Sequence, residues 1–560
     1  MVLTDDARAL LQNVLEHLLR SDSASFPEIK AFRVRHESRR SLIEELLDAG
    51  YLGMNRGQYE LTVDGLLQCD SEEARQEVAA CDSLLSLLKD AYREQPTGTW
   101  TVDEIAKRAR RTVLEVARSL AFLLQLSIAS SWSGSGSNTT MTITLAESVL
   151  DEQPIGWFVY ANELADIEHV ELLEIDGYRP FRDFQAAFAQ LSVIIGVNGS
   201  GKSSLFDLLR FVSLAAENPL PPEIDPGGAG RTLFHAGGPE HLRLALAVNC
   251  GAKASLRYDV EITGPMGSPR VVREHLATAQ PFEELPDSSR RKPFVFLDFH
   301  GGKGAVRDLV SRKWQAPRWT VPPNELALRR ALDPTLATLA NFRSFLASWR
   351  FYSGFTVSEN SAVRQPSFTE QDAVLAEDGS NLSAVLHAFM TEHTETWQEL
   401  ETHLRSAVPG FQSLGVKSQG RRGAVIGVWR EFGVNGELTL ADLSDGTLRF
   451  LCWATLCLSP KIPPLLCIDE PELGLHPRVL PLLAGLLRTA AARSQILVAT
   501  HSPYFLSQFA LDEIAVMRKE DGRAVFVRPG DSQALRREIE EIGADAIAKL
   551  HISDELEVRS

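Results

Sequence analysis

The chain has 560 residues, of which 44% are hydrophobic, and it carries a formal net charge of −17 with an isoelectric point near 5.3. This length predicts about two to four domains, and the acidic balance argues against a protein that coats nucleic acid non-specifically. Six scattered cysteines without a CxxC pair favour buried thiols over disulfides or zinc ligands. No apolar stretch reaches membrane-spanning length and the first residues lack a signal-peptide pattern, so we expect a cytoplasmic protein without a membrane segment.

Residues 1–150 contain two copies of one pattern, in which helices are followed by a short hairpin. Such a unit is typical of a winged helix-turn-helix. We therefore expect one winged-helix-like domain over 1–74, a second over 75–150, and a linker over 151–167. The predicted helices are 7–19, 39–49, 81–94 and 112–126, and the predicted strands are 59–63, 128–132 and 140–145.

Basic side chains crowd the start of the presumed recognition helix in each copy. Arg39 and Arg40 do so in the first copy, and Arg110 and Arg111 in the second. Arginines at this position can contact phosphates and base edges in a major groove, which makes these four residues candidate DNA contacts. A solvated helix face or a winged helix that docks a protein explains the same clusters equally well.

A glycine-rich segment, GVNGSGKS at 196–203, follows the apolar run 191–195 and precedes an apolar helical pattern. In this context of strand, tight turn and helix, a P-loop cradles phosphates with its backbone N–H groups and the helix N-terminus. We therefore predict binding of a nucleoside triphosphate, with Lys202 reaching the β- and γ-phosphates and the Ser203 hydroxyl ligating Mg²⁺. The predicted nucleotide contacts are Gly196, Asn198, Gly199, Ser200, Gly201, Lys202, Ser203 and Ser204.

Strand-like and helical runs alternate around and beyond the P-loop. No heptad of apolar residues is sustained between 204 and 440, so we expect no long coiled-coil arm. The predicted strands are 170–175, 242–248 and 256–262, the predicted helices are 326–349 and 381–405, and 292–324 is predicted to mix loops with one short strand.

A second buried strand, 464–468, ends in the paired carboxylates Asp469 and Glu470. Asp469 at the strand end suits the Mg²⁺ shell, and Glu470 suits activation of the attacking water. An isolated pair of this kind is usually a solvated loop. Its combination with a P-loop favours a catalytic role for Glu470 together with Lys202.

Two shorter polar motifs accompany the carboxylate pair. The buried strand 495–500 ends at His501, which fits a sensor of the γ-phosphate and is our third candidate catalytic residue. Ser444, Asp445 and Gly446 stand at a predicted helix N-terminus about twenty residues before the carboxylate strand. By themselves they are also explained by an ordinary N-cap.

The order of the P-loop, LSDGT at 443–447, CIDEPELGLHP at 467–477 and ATHSP at 499–503 resembles the ABC-type ATPase head, and within it the RecF-like, SMC-related AAA ATPases. The resemblance implies an α/β P-loop NTPase fold, with a mixed sheet, helices and a helical lobe. We expect this ATPase domain over 168–530, with the helical or inserted region at about 300–440 and a tail over 531–560.

The resemblance also implies a homodimer in which the heads meet head to tail. Ser444, Asp445 and Gly446 would then form a signature segment that acts in trans, with Ser444 and Gly446 contacting the γ-phosphate of the partner's nucleotide. The resemblance leaves the Q-loop and the adenine contact unassigned. Three aromatic residues precede the P-loop at a suitable distance for adenine, namely Tyr178, Phe181 and Phe184.

These observations favour an ATP-hydrolysing dimeric switch, coupled through winged helices to DNA or to a partner protein. The resemblance implies a role in bacterial antiviral defence, with a nuclease or toxin as a separately encoded effector, because only about sixty residues follow His501. A DNA repair or recombination ATPase of the RecF type is the alternative. A transporter subunit and a nucleotide-gated scaffold with little turnover are less favoured.

Overall fold

The structure of the protein is a computed structural model. The buried apolar residues of its described segments form three clusters. One cluster lies in the N-terminal part, and the other two lie on opposite faces of a parallel sheet. The residues that the structure describes are 5–20, 42–43, 46–47, 51–55, 58–69, 71–94, 100–125, 129–133, 141–145, 167–220, 234–235, 241–251, 255–264, 269–279, 293–307, 314–317, 319–332, 336–369, 374–419 and 423–532.

The first N-terminal copy begins with an amphipathic helix. Its elements are helix α1 (Asp5–Arg20), strands β1 (Leu52–Asn55) and β2 (Gln58–Leu61), and helices α2 (Val63–Leu67) and α3 (Glu72–Glu94). Along α1 the buried apolar residues recur three or four positions apart, from Ala7 to Leu18, as a core-facing helix requires. The predicted helix at 39–49 lies mostly outside the described residues.

The segment predicted as the second copy begins within α3 and adds two helices and a three-stranded sheet. Its further elements are strand β3 (Trp100–Thr101), helices α4 (Val102–Ala109) and α5 (Val113–Gln125), and strands β4 (Ala129–Ser133) and β5 (Met141–Leu145). Thr101 and Glu104 form a capping box that starts α4, because each side chain accepts a bond from the other's backbone N–H. β5 pairs with both β3 and β4, so the predicted hairpin is confirmed.

Both copies share one hydrophobic cluster, which runs from Ala7 to Leu123. The Gln125 side chain joins them, since its Oε1 accepts from Val63 N (3.2 Å) and its Nε2 donates to Leu61 O (3.3 Å). The predicted boundary between residues 74 and 75 falls inside α3.

Beyond residue 167 the chain builds an eight-stranded antiparallel sheet. Its strands are β6 (His169–Asp176), β7 (Phe184–Ala187), β9 (His241–Asn249), β10 (Ser255–Thr263), β11 (Arg270–Thr278), β12 (Val295–His300), β13 (Lys303–Arg307) and β14 (Trp314–Gln315). Between β7 and β9 the chain forms strand β8 (Leu191–Ile195) and helix α6 (Lys202–Ala215), which do not belong to this sheet. The sheet order is β14-β13-β12-β11-β10-β9-β6-β7. The predicted strands that correspond to β6, β9 and β10 are confirmed.

The sequence between 292 and 324 is more regular than predicted. Three strands, β12, β13 and β14, lie where loops with one short strand were expected, so that prediction is wrong. The strands have only six, five and two residues, and the turn at Gly301 and Gly302 takes positive φ. Strands this short show too little alternation to stand out from loops.

Both long helices predicted between 326 and 405 are interrupted. The first consists of a 3₁₀ turn (Leu328–Arg330) and helix α7 (Ala337–Ala347), with Pro334 between them in the sequence. The second consists of helices α8 (Leu382–Glu392) and α9 (Thr394–Ala407). At the junction His393 has φ −129° and ψ 65°, which is not helical. The apolar periodicity of the sequence continues through both breaks, so it predicted one long helix in each case.

A six-stranded sheet carries the P-loop strand near its centre. The remaining elements are strands β15 (Arg350–Tyr352), β16 (Ser367–Phe368), β17 (Phe411–Gln419), β18 (Ala424–Glu431) and β19 (Leu438–Thr439), helix α10 (Asp445–Leu458), strand β20 (Leu465–Asp469), helix α11 (Leu480–Ala491), strand β21 (Gln495–Ala499), helix α12 (Pro503–Leu506), and strands β22 (Ile514–Glu520) and β23 (Arg523–Val527). The sheet order is β15-β20-β21-β8-β22-β23, parallel except for β23. β16 to β19 form a separate antiparallel sheet.

The parallel strands are buried on both faces, as their continuous apolar sequences predict. In β8, Ile194 joins the cluster that contains α6 and the antiparallel sheet, whereas Val193 and Ile195 join the cluster that contains α8 to α11. The same alternation holds in β20, where Cys467 and Ile468 point to opposite faces. The predicted α/β P-loop head with an additional helical lobe is therefore confirmed.

No described helix is long and apolar enough to cross a lipid bilayer. All six cysteines lie in described segments as buried free thiols, as predicted. Burial raises the pKa of the Cys457 thiol to about 12, so this group stays protonated at neutral pH.

Candidate nucleotide site

The glycines of the P-loop take backbone conformations that other residues avoid. Gly196, Gly199 and Gly201 have φ values of 150°, 80° and 115°. A Cβ on Gly196 would lie 1.9 Å from the carbonyl oxygen of Met517 on β22, so this position has no room for a side chain. The loop therefore turns tightly from β8 into α6, whose first residue is Lys202.

Lys202 is only 7% exposed, although it carries a charge. Its Nζ donates to the carbonyl oxygens of Gly196 (2.5 Å) and Val197 (3.5 Å). These carbonyls offset part of the cost of burying the ammonium group and hold it inside the loop. The positive charge is thus fixed where a P-loop presents it to phosphates.

One cavity of about 520 Å³ collects most of the predicted site residues. It opens where the carboxyl ends of β8, β20, β21 and β22 meet, which is the usual ligand position in an open α/β sheet. Gly196 and the fully buried Ser200 lie outside its lining. The cavity is lined by Pro180, Asn198, Gly199, Gly201, Lys202, Ser203, Ser204, Asp469, Glu470, His501 and Lys519.

Pro180 and Lys519 were missed by the sequence analysis. Lys519 belongs to β22, which pairs with the P-loop strand but was not predicted as a strand. Lys519 lies near the cavity because β22 pairs with β8, and no motif in the sequence indicates this pairing.

The carboxylate pair Asp469 and Glu470 lines the same cavity as Lys202. Burial raises the pKa of Asp469, the negative charge of Glu470 raises it further, and Lys202 opposes both effects. Glu470 has a left-handed φ of 49°, and its N–H donates to Ala499 O at 2.8 Å. Such a backbone is uncommon outside glycine and often marks a functional position. The Ser203 hydroxyl and the Asp469 carboxylate offer the hard oxygen ligands that Mg²⁺ prefers.

Glu472 links the carboxylate strand to the His501 segment and was not predicted. Thr500 Oγ1 donates to Glu472 Oε1 and itself accepts from Ser502 N at 3.1 Å. Burial raises the pKa of Glu472. The loop after β20 therefore fixes residues 500–502, on which His501 stands. The signal in the sequence was the second glutamate of the DEPE motif.

The signature segment lines a different cavity. Ser444 caps α10, because its Oγ accepts from Thr447 N (3.3 Å), and a Cβ on Gly446 would lie 3.1 Å from Gly474 O. This cavity of about 320 Å³ shares no residue with the P-loop cavity. It is lined by Ala407, Val408, Pro409, Ser444, Gly446, Thr447, Phe450, His476, Arg478 and Val479.

The three aromatic candidates for an adenine contact are buried in the core. Tyr178, Phe181 and Phe184 are each at most 2% exposed, and the rings of Phe181 and Phe184 lie 4.4 Å apart. No face of these rings is open to the cavity. Their spacing before the P-loop reflects core packing of the antiparallel sheet, not nucleotide contact.

The candidate DNA contacts differ in exposure. Arg39 and Arg40 lie outside the described residues. Arg110 is exposed and ends α4 with a left-handed φ of 53°. Arg111 is turned inward, since its Nη1 donates to Ala80 O (3.3 Å) and Ser119 Oγ (3.5 Å). Of the described pair, Arg110 is exposed and Arg111 is half-buried.

The chain resembles a defined family and several solved structures. The family model AAA_21, described as "AAA domain, putative AbiEii toxin, Type IV TA system", matches residues 191–507, more than half of the chain. No curated protein matches. One similar structure is a Smc head bound to the C-winged helix domain of ScpA, with 14% identity, 64% of this chain and 97% of that chain covered, and a TM-score of 0.40. A second is the Pyrococcus furiosus Smc head with an extended coiled coil bound to the C-terminal domain of ScpA, with 12% identity, coverages of 66% and 99%, and a TM-score of 0.42. A third is the Thermotoga maritima SMC head domain, with 13% identity, coverages of 64% and 98%, and a TM-score of 0.34.

Proposed function

The chain belongs to the AAA_21 family of P-loop ATPases, and we propose that two copies of it pair head to tail to bind and hydrolyse ATP. Each copy would supply a P-loop to one nucleotide and a signature segment to the other. Family membership also agrees with the predicted relationship to SMC-related, RecF-like AAA ATPases.

The main support for this proposal is that the P-loop and the signature segment line two separate cavities. Lys202 and Glu470 line one cavity, whereas Ser444 and Gly446 line the other, and no residue belongs to both. Ser444 and Asp445 are exposed. Because the signature segment does not line the P-loop cavity of its own chain, a second copy is the natural source of the trans contact.

Within the P-loop cavity each polar group has a distinct task. The loop N–H groups and Lys202 bind and orient the triphosphate, and Ser203 and Asp469 would hold Mg²⁺, which supplies charge neutralisation to the phosphates when bound. Glu470 orients and deprotonates the attacking water, and His501 hydrogen-bonds the γ-phosphate region. Ser444 and Gly446 of the second copy close the site and exclude bulk water.

The Glu470→Gln variant tests the dimer. Glutamine keeps the shape of the side chain but cannot take a proton, so hydrolysis should fall at least about a hundredfold while ATP binding persists. An ATP-loaded dimer should then accumulate, which analytical ultracentrifugation with ATP and Mg²⁺ detects. Glu437→Gln, which changes a glutamate that is ion-paired with Lys417 outside both cavities, is the matched control. A Glu470→Gln protein that stays monomeric at saturating ATP contradicts the proposal.

The N-terminal region is proposed to couple this cycle to DNA or to a partner protein. The order α3, β3, α4, α5, β4, β5 is that of a winged helix, and Lys107, Arg108 and Arg110 expose positive charge before α5. Replacing these three residues by alanine should weaken retention on duplex DNA and flatten its salt dependence by about one unit of slope per lost phosphate contact. Arg75→Ala on the exposed face of α3 is the control. Absence of DNA retention by the intact protein at low salt would instead indicate protein docking.

We place the ATPase in antiviral defence, with a separately encoded toxin or nuclease as effector. The family description, which names a putative AbiEii toxin and a Type IV TA system, supports this role. Expressed with its neighbouring genes, the wild-type chain should protect cells from phage and the Lys202→Ala variant should not. Sensitivity of the Lys202→Ala strain to DNA damage, without loss of phage protection, would favour the alternative role in RecF-like repair.

A further inference from the structure

The signature segment is held by a buried arginine far away in the sequence. Arg364 ends a 3₁₀ turn (Ala362–Arg364) after β15 and is 5% exposed. Burying a guanidinium is costly unless its N–H groups are paired, and here they are. Nε donates to Val357 O at 2.8 Å, and the remaining bonds all go to residues 440–445.

Most hydrogen bonds from Arg364 go to the residues at the N-terminus of α10. Nη1 donates to the carbonyl oxygens of Leu440 (3.1 Å), Ala441 (2.9 Å) and Leu443 (2.8 Å), and Nη2 donates to Asp445 Oδ1 (2.7 Å). Leu443 directly precedes the cap Ser444. The guanidinium therefore fixes the path of the backbone at the point where the signature segment begins.

The Asp445 carboxylate poses an electrostatic problem for a phosphate site. It stands in the first turn of α10, where it competes with an incoming anion for the helix N-terminus and repels it. Arg364 draws one carboxylate oxygen toward the protein and supplies the compensating positive charge. The helix N-terminus is thereby left available to an anion beside Ser444 and Gly446.

The segment that carries Arg364 is also anchored to the P-loop helix. Glu377 Oε2 accepts from Arg210 Nη1 on α6 (2.8 Å), and its Oε1 accepts from Phe351 N on β15 (3.0 Å). Tyr352 OH donates to Leu375 O at 2.6 Å. The described residues of this segment, 350–369 and 374–381, therefore connect α6 at one end to α10 at the other.

We propose that Arg364 is a positioning residue for the trans site, which fixes the signature segment and neutralises Asp445 so that the segment can receive the γ-phosphate of a second copy. This inference rests on the proposed head-to-tail dimer. Arg364 lies outside the P-loop cavity, so it contributes to closure and hydrolysis but not to the first binding of ATP.

The test uses the full chain in the Glu470→Gln background with ATP and Mg²⁺. Arg364→Ala should weaken ATP-dependent dimerisation about ten- to hundredfold, as expected for lost charge-assisted bonds, and leave ATP affinity of the monomer within about twofold. Adding Asp445→Asn should recover part of the dimerisation, because the charge left uncompensated is removed. Arg405→Ala, an exposed arginine paired along α9, is the control and should dimerise normally.

A purely structural role would give equal losses with and without Asp445→Asn, and that result overturns the proposal. Wild-type dimerisation of a folded Arg364→Ala protein overturns it as well. If Arg364→Ala does not fold, Arg364→Lys takes its place. Lysine keeps the charge but lacks the planar fork, so dimerisation should still weaken several-fold, and undiminished dimerisation contradicts the inference. A Glu470→Gln parent that never dimerises instead refutes the proposed function itself.

Discussion

The two cavities of the head are built differently. The P-loop cavity gathers charged groups of both signs at the ends of four strands, with Lys202 held by carbonyls of its own loop. The signature cavity is formed by one helix N-terminus and mainly apolar neighbours, and Asp445, which follows Ser444 in the sequence, is paired with Arg364. Under the proposed head-to-tail dimer, we therefore expect the P-loop cavity to determine nucleotide affinity and the signature cavity to determine closure and hydrolysis.

The largest expected effect comes from the P-loop cavity. Lys202→Ala removes the buried positive charge that faces the phosphates, so ATP affinity should fall at least about a hundredfold. Titration with a fluorescent ATP analogue measures this loss, and Lys417→Ala, an exposed lysine outside both cavities, serves as the control. Unchanged affinity would show that the P-loop cavity does not determine ATP affinity.

Ser444→Ala should produce the reverse pattern. The variant lacks the hydroxyl at the signature helix N-terminus, so turnover should fall about a hundredfold while the affinity of the monomer for ATP stays unchanged. Steady-state hydrolysis and equilibrium binding, measured on the same preparation, separate the two quantities. A parallel loss of binding would show that the two cavities are not functionally distinct.

Glu472→Gln tests whether the bond between Glu472 and Thr500 positions His501 in the P-loop cavity. Glutamine retains an acceptor for Thr500 but loses the charge, so the segment that carries His501 should be less firmly held. We expect kcat to fall about tenfold with little change in KM, because binding groups are untouched. Glu472→Ala should be more severe. If both variants change KM and not kcat, Glu472 belongs to binding and not to positioning of His501.

The last expected effect is on stability and leaves ATP binding unchanged, and it concerns a carboxyl group outside both cavities. Glu274 is 1% exposed and accepts hydrogen bonds from Tyr258 OH (2.8 Å), Leu328 N (2.9 Å) and Ala327 N. Burial raises its pKa from 4.5 to about 7, whereas the hydrogen bonds oppose the shift. The folded state thus holds the proton more tightly than the unfolded state.

The contribution of Glu274 to stability is therefore full below pH 4.5 and is lost as the pH rises to about 7. The size of the shift corresponds to about 3 kcal/mol. Glu274→Gln should abolish this part of the pH dependence in urea unfolding, without changing ATP affinity. The same pH slope in the variant and the wild type would assign the dependence to other groups.

The sequence was most informative where function depends on contiguous residues. The P-loop, the carboxylate pair and the His501 segment are each a strand followed by a short polar motif, and the fold brings them to one sheet edge. Arg364 escaped detection because it acts on backbone carbonyls and on a carboxylate 81 positions away, which leaves no local pattern. The aromatic residues before the P-loop were misleading because spacing does not reveal burial.

Mixing two inactive variants tests the shared site most directly. Lys202→Ala retains its signature segment and Ser444→Ala retains its P-loop, so each mixed dimer contains one complete site. With random pairing of equal amounts, half of the dimers are mixed, and ATP hydrolysis should recover to about a quarter of the wild-type rate. A mixture that hydrolyses ATP no faster than the sum of its two components would contradict a site built from two copies.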